Sequence, residues 1–264
     1  MTVAAAIGLG LLIGLTLGAL GGGGSILTVP ALVYVLGQDA RAATTSSLFI
    51  VGVSAVIAAL GHARSGRVRW GVGAAFGVTG IAAGFAGTAA NRLVDPDVLL
   101  LAFAGVIVIA AVAMLDKSRG ADPAPAREGD GVSDGRRWTP GRIGRMVAAG
   151  LVVGFMTGFF GVGGGFVIVP ALTLALGMSM PKAVATSLVV ISINSAGALL
   201  ARAGTAHFDW ALIIPFTLAA VVGSLSGKKV TDRVSGRALT RAFAVLLIGV
   251  AVYTATSSLI SLLG

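Results

Sequence analysis

Gly18-Ala-Leu-Gly-Gly-Gly-Gly-Ser-Ile-Leu-Thr-Val-Pro30 decides the fold, because the chain carries it twice. The second copy is Gly158-Phe-Phe-Gly-Val-Gly-Gly-Gly-Phe-Val-Ile-Val-Pro170, 140 positions later and without a gap. The same offset superposes Gly37 on Gly177, Ser47-Leu48 on Ser187-Leu188, Trp70 on Trp210, Phe76 on Phe216, Gly87 on Gly227 and Phe103 on Phe243. One module has been duplicated.

Both glycine clusters are embedded in apolar sequence. The 264 residues are 56% hydrophobic and only 11% charged, with a mean hydropathy of +0.98, whereas soluble chains carry about 25% charged residues. Uninterrupted apolar runs such as Ala43 to Gly61, Val98 to Leu115 and Ala211 to Gly227 approach the roughly 20 residues that a helix needs to cross hydrocarbon. Each half therefore reads as an apolar stretch, a glycine cluster, a short second stretch and three longer segments. In the first half these are residues 2–20, 25–36, 43–61, 70–90 and 98–115, and the second half is the first shifted by 140. The first run carries no basic residue before it and passes into glycines, so it is expected to belong to the fold rather than to a removable signal.

Charge sets the orientation. Arg64, Arg67 and Arg69 crowd one connection of the first half, while its counterpart, Arg202 to Asp209, has a single arginine. The next connections reverse the bias: Asn91 to Asp97 has only Arg92, against Lys228, Lys229, Arg233, Arg237 and Arg241. The positive-inside rule then predicts two modules of opposite orientation. Inversion needs an odd number of crossings per module, which three spans supply if the first two stretches form a hairpin that enters and leaves on one side. The expectation is an all-α polytopic membrane protein with two inverted-topology repeats, each a glycine-broken hairpin plus about three transmembrane helices. Its parts are a first repeat, 1–115, a cytoplasmic linker, 116–141, and a second repeat, 142–264. The linker is polar, with Pro123, Pro125 and Pro140. The net charge of +9 sits in short connections, as flank charge does, so it points to membrane topology and not to nucleic acid.

An irregular backbone in lipid costs several kcal/mol per unpaired group, so the glycine breaks imply a covered or wet interior site. Glycine leaves N–H groups open, and a helix starting after each break presents about half a positive charge. Two such ends would hold an anion. The candidate binding set is Gly22, Gly23, Gly24 and Ser25 with Gly163, Gly164, Gly165 and Phe166, assisted by the neutral donors Ser46, Ser47, Thr186, Ser187 and Asn194. Pro30 and Pro170 are expected to kink or end the return arm. Any single hydroxyl is more commonly bonded to its own helix carbonyl, and Gly80, Gly84 and Gly87 read as close helix packing. Trp70 and Trp210 fit the aromatic belt at the start of a span. His62 and His207 read as interfacial residues.

Several chemistries lack support. The glycine clusters have no following lysine and no preceding strand, as a phosphate loop would need. No carboxylate lies well inside a predicted span, so no acidic proton relay is visible. Paired carboxylates within the apolar segments, cysteine and metal-spaced histidines are all missing, so neither an enzyme nor a metal or cofactor is expected.

The two hairpins, followed by Ala43-Thr-Thr-Ser-Ser-Leu48 and Ala185-Thr-Ser-Leu188, resemble the TauE/SafE family of sulfite exporters over nearly the whole chain outside the linker. The resemblance implies two modules of about three transmembrane helices and an anion transporter for sulfite or a small organosulfonate. A cysteine relay for thiosulfate cannot operate, because the chain has no cysteine. The expectation is a secondary transporter, exporting by alternating access across the cytoplasmic membrane. A passive anion channel and a non-transporting accessory subunit are the rivals. Partners would be the anion, the lipid bilayer and, as an open alternative, further copies of the chain.

Overall fold

The computed structural model describes residues 2–91, 93–94, 96–120, 140–160, 165–202 and 208–263. The linker residues 121–139 and residues 161–164 and 203–207 lie outside them, and with them Gly163, Gly164 and His207. Everything described in regular structure is helical: α1 Thr2–Leu20, α2 Gly23–Pro30 running on into a π-helical turn Ala31–Val35, α3 Ala40–Ala63, α4 Trp70–Asn91, α5 Pro96–Gly120, α6 Pro140–Phe160, α7 Gly165–Leu174, α8 Met180–Ala201, α9 Trp210–Arg233 and α10 Gly236–Leu263. In hydrocarbon a helix satisfies all of its own backbone groups, which is why these apolar segments take that form.

The element starts repeat at the sequence offset: α3 and α8 begin at 40 and 180, α4 and α9 at 70 and 210, α5 and α10 at 96 and 236. Turn chemistry repeats with them. Gly37 and Gly177 both take positive φ, 69° and 66°. Beside them the Gln38 N–H donates to the Leu32 carbonyl at 2.9 Å, and the Met178 N–H to Leu172 at 3.1 Å. Asp39 caps α3 by accepting from the N–H groups of Arg41 and Ala42.

Small residues determine how the halves meet. Residues 10, 14 and 18 of α1 face 216, 220 and 224 of α9, so closely that a Cβ on Gly14 or Gly18 would overlap the backbone of Ala220 or Ser224. Shifted by 140, Gly154 and Gly158 of α6 stand the same way against Gly80 and Gly84 of α4. The contacting numbers rise together, so each of these pairs is parallel. α3 and α8 behave differently: Gly52 faces Ser195, whereas Thr45 faces Arg202. One number falls as the other rises, so these two equivalent helices run antiparallel. Phe76 and Phe216, and Phe103 and Phe243, fill equivalent core positions.

Seven helices among the described residues are long and apolar enough to cross a membrane, and they include α1 and α6. The expected hairpins are therefore lopsided. At about 1.5 Å per residue, α1 with its 19 residues reaches about 28 Å. The return arm is only Gly23–Val35 in the first half and Gly165–Leu174 in the second. Leu12, Val78, Phe85, Leu218 and Val245 point outward, an apolar surface suited to lipid and not to water. Neither proline ends its arm. Pro30 closes the α-helical part of α2 where the wider π turn takes over, and Pro170 lies inside α7. α4 and α9 begin at Trp70 and Trp210, both about half exposed.

Candidate functional site

At the first break the chain turns at Gly21, whose φ of 70° only glycine adopts without strain. Its N–H donates to the Leu17 carbonyl at 2.8 Å and closes α1. Gly22 then caps α2 without a side-chain acceptor. A Cβ on Gly22 would overlap the Gly165 carbonyl and come within 2.6 Å of the Phe166 nitrogen. Reciprocally, a Cβ on Gly165 would overlap the Ser25 Oγ and lie 3.1 Å from the Gly22 Cα. The first residues of α2 and α7 thus touch backbone to backbone, and two helix N-termini converge.

The other members of the predicted set divide. Ser25 is buried and its Oγ donates to the Gly22 carbonyl at 2.7 Å, holding the bend. Gly23 faces the Leu246 side chain, and Gly24 faces the Ile13 carbonyl of the opposite arm. Ser187 lies at the bend: a Cβ on Gly21 would overlap its Oγ, which itself donates to the Val184 carbonyl at 2.8 Å. Phe166 is buried, and its ring packs edge-on to Phe103 at 5.0 Å between centroids. The side chain anchors α7, leaving its backbone N–H at the bend. Ser47 donates to its own helix at the Thr44 carbonyl, 2.8 Å away. Thr186 accepts from the Arg69 N–H at 3.2 Å and fastens the connection between α3 and α4.

Ser46 is fully buried and its Oγ has no hydrogen-bond partner among the described residues. Asn194 is not brought to the bends. It stands beside Gly80 of α4, its Oδ1 likewise without a partner, and Ser54, its equivalent in the repeat, shares that condition. Gly163 and Gly164 fall outside the described residues.

The structure adds residues that the sequence reading passed over. The last carbonyls of α1 take donors from elsewhere: Thr231 Oγ1 donates to Ala19 at 3.1 Å, and His62 Nε2 lies 3.2 Å from the Gly18 carbonyl. In the other half Asn91 Nδ2 donates to Phe159 at 2.6 Å. Asn91 and Thr231 are 140 positions apart, as are their acceptors, so the offset that revealed the repeat also carried this signal. His62 is fully buried, not interfacial as its place near a segment end suggested. Near it Asp232 pairs with both Arg67 and Lys228, bringing the basic connection after α3 and the basic end of α9 to one end of the molecule. A cavity of about 210 Å³ lies elsewhere, between Thr173, Met178, Ser179, Arg237 and Thr240.

Many apolar helices around two short helices, α2 and α7, whose first residues meet in the interior define a multi-pass membrane protein of the transporter class. The chain belongs to the sulfite exporter TauE/SafE family, whose sequence profile matches residues 6–254. A probable membrane transporter protein of Xylella fastidiosa strain 9a5c is 34% identical over 260 residues, covering 97% of this chain and 96% of that protein. One from Methanocaldococcus jannaschii is 27% identical over 197 residues, 72% of this chain and 68% of that one. The probable membrane transporter protein YunE of Bacillus subtilis is 24% identical over 253 residues, 90% of each chain. No solved structure matches the chain.

Proposed function

We propose that this membrane transporter is a secondary exporter of a small sulfur-containing anion, sulfite or an organosulfonate, working across the cytoplasmic membrane by alternating access. The observation that carries this reading is the backbone contact of Gly22 with Gly165 and Phe166. It gathers two helix N-termini and their N–H groups at one interior place, which suits an anion that must bind and also leave. The family description supplies the sulfur oxyanion. Antiparallel α3 and α8, together with basic clusters gathered at one end by Asp232, favour modules of opposite orientation with that end in the cytoplasm. Because the starts of α2 and α7 are packed against each other, release of an anion held there requires the modules to move.

Proteoliposomes containing only this chain test the reading with labelled sulfite. A carrier gives saturable flux and counterflow; a passive pore gives flux proportional to the gradient without counterflow. An accessory subunit gives neither. No counterflow with sulfite or any sulfonate would remove the proposed substrate class.

A further inference from the structure

The chain has two histidines, and His62 occupies an unusual place. Its ring is fully buried in the last turn of α3, within a segment long enough to span the membrane. Ionisable groups at such positions are expensive and are generally retained for function. Nε2 lies 3.2 Å from the Gly18 carbonyl. A carbonyl only accepts, so Nε2 carries the hydrogen and Nδ1 of the neutral ring carries the lone pair. Nδ1 is buried and has no hydrogen-bond partner among the described residues.

The surroundings decide when that lone pair can take a proton. Lys228 and Asp232 of α9 and Arg67 of the connection after α3 lie close enough for their charges to act on the ring, and α1 offers it the Gly18 carbonyl. Asp232 is engaged by both Arg67 and Lys228, so the ring meets two cations and one shared carboxylate. A proton on Nδ1 would add a third positive charge and a buried donor with nothing to accept from it, which is costly on both counts. An anion at the bend changes this. Gly18 precedes the Gly21 turn by three residues, about 5 Å along a helix, so a negative charge there offsets the excess.

We propose that His62 is the proton-binding residue of the transporter, taking a proton on Nδ1 when the anion enters and releasing it when the anion leaves. This rests on the transport reading above and adds its coupling ion: proton and anion cross together, so export runs down the anion's own outward gradient and is not driven by an inward proton gradient. The repeat supplies an internal contrast. The equivalent position in the second module is Arg202, a permanent cation whose Nη1 reaches Thr45 Oγ1 at 3.4 Å. One module thus holds a fixed charge where the other holds a titratable one, and the coupling is one proton per cycle.

Two measurements test this. In proteoliposomes, labelled methanesulfonate is the probe, because its sulfonate stays ionised throughout the range in which histidine titrates, whereas sulfite itself takes up a proton near neutrality. The wild type is expected to accumulate the anion against its gradient when a pH difference is imposed, with counterflow that varies between about pH 5 and 8. H62Q, which retains a donor for the Gly18 carbonyl, is expected to lose the accumulation and the pH dependence while counterflow persists at a reduced rate. H62Q with wild-type accumulation and pH profile overturns the proposal. The second measurement needs no folded variant at position 62. In His207→Ala protein with labelled histidine, NMR reads the one remaining imidazole, and saturating sulfite at fixed pH is expected to move it toward the charged form. A ring whose protonation ignores sulfite also overturns the proposal. Wild-type protein that moves neither anion removes the transport reading itself and the coupling with it.

Discussion

Gly22 and Gly23 are neighbours in one oligoglycine run, yet a methyl group on each would meet different matter. On Gly22 it would strike the backbone of Gly165, which has nowhere to go; on Gly23 it would meet the far end of the Leu246 side chain at 2.7 Å, which can rotate away. Overpacking against rigid neighbours costs about 1–3 kcal/mol. Gly22→Ala is therefore expected to lower the unfolding temperature in detergent and to abolish counterflow, with Gly23→Ala close to wild type. Equal damage from the two would mean that the contact between Gly22 and Gly165 is incidental. Ser46 gives a second test at this scale. A buried hydroxyl without a partner costs about 1–3 kcal/mol, so Ser46→Ala should raise thermal stability, and it should slow anion flux if that hydroxyl serves the substrate. A less stable Ser46→Ala protein would show that the hydroxyl has a structural partner after all. The glycine runs were legible because four small residues in succession weaken a helix in any setting. What each glycine touches was not legible, since Gly22 and Gly23 differ only in what the second module brings to them.

Among the helices, the ends of α1 and α6 show how a break inside lipid is kept satisfied. Carbonyls left open at the end of α1 receive Thr231 Oγ1 from α9, and the matching carbonyl of α6 receives Asn91 Nδ2 from α4. Thr231→Val preserves shape and removes that donor, and a lost hydrogen bond of this kind is worth about 0.5–1.5 kcal/mol. The expected result is a modest fall in unfolding temperature, with a comparable fall for Asn91→Leu. No change in either variant would mean that water serves these carbonyls equally well. Helix starts at Trp70 and Trp210 and the small-residue packing of Gly80 and Gly84 were readable, because each depends on local composition. The length of α1, the continuation past Pro30 and the burial of His62 were not. The apolar run 2–20 fits either a hairpin arm or a span, and the acceptor for His62 is a backbone carbonyl that leaves no mark in sequence.

Taken whole, the molecule places two equivalent helices, α3 and α8, antiparallel across its centre, with Gly52 against Ser195. Alternating access by two modules requires this contact to shift in every cycle, whereas a fixed pore has no such need. A covalent tie across it separates the two. The chain has no cysteine, so the double substitution Gly52→Cys with Ser195→Cys places one reactive pair on a clean background. A Cβ on Gly52 stands 3.0 Å from the Ser195 Cβ, and a disulfide wants about 3.5–4.5 Å, so a small parting of the helices suffices and mild oxidation should close the bond. Oxidised protein in liposomes is expected to lose sulfite counterflow, and a reductant to restore it, while each single-cysteine variant ignores the oxidant. Full flux from completely cross-linked protein would show that the centre stays still during transport, and the rocking of one module against the other would have to be abandoned.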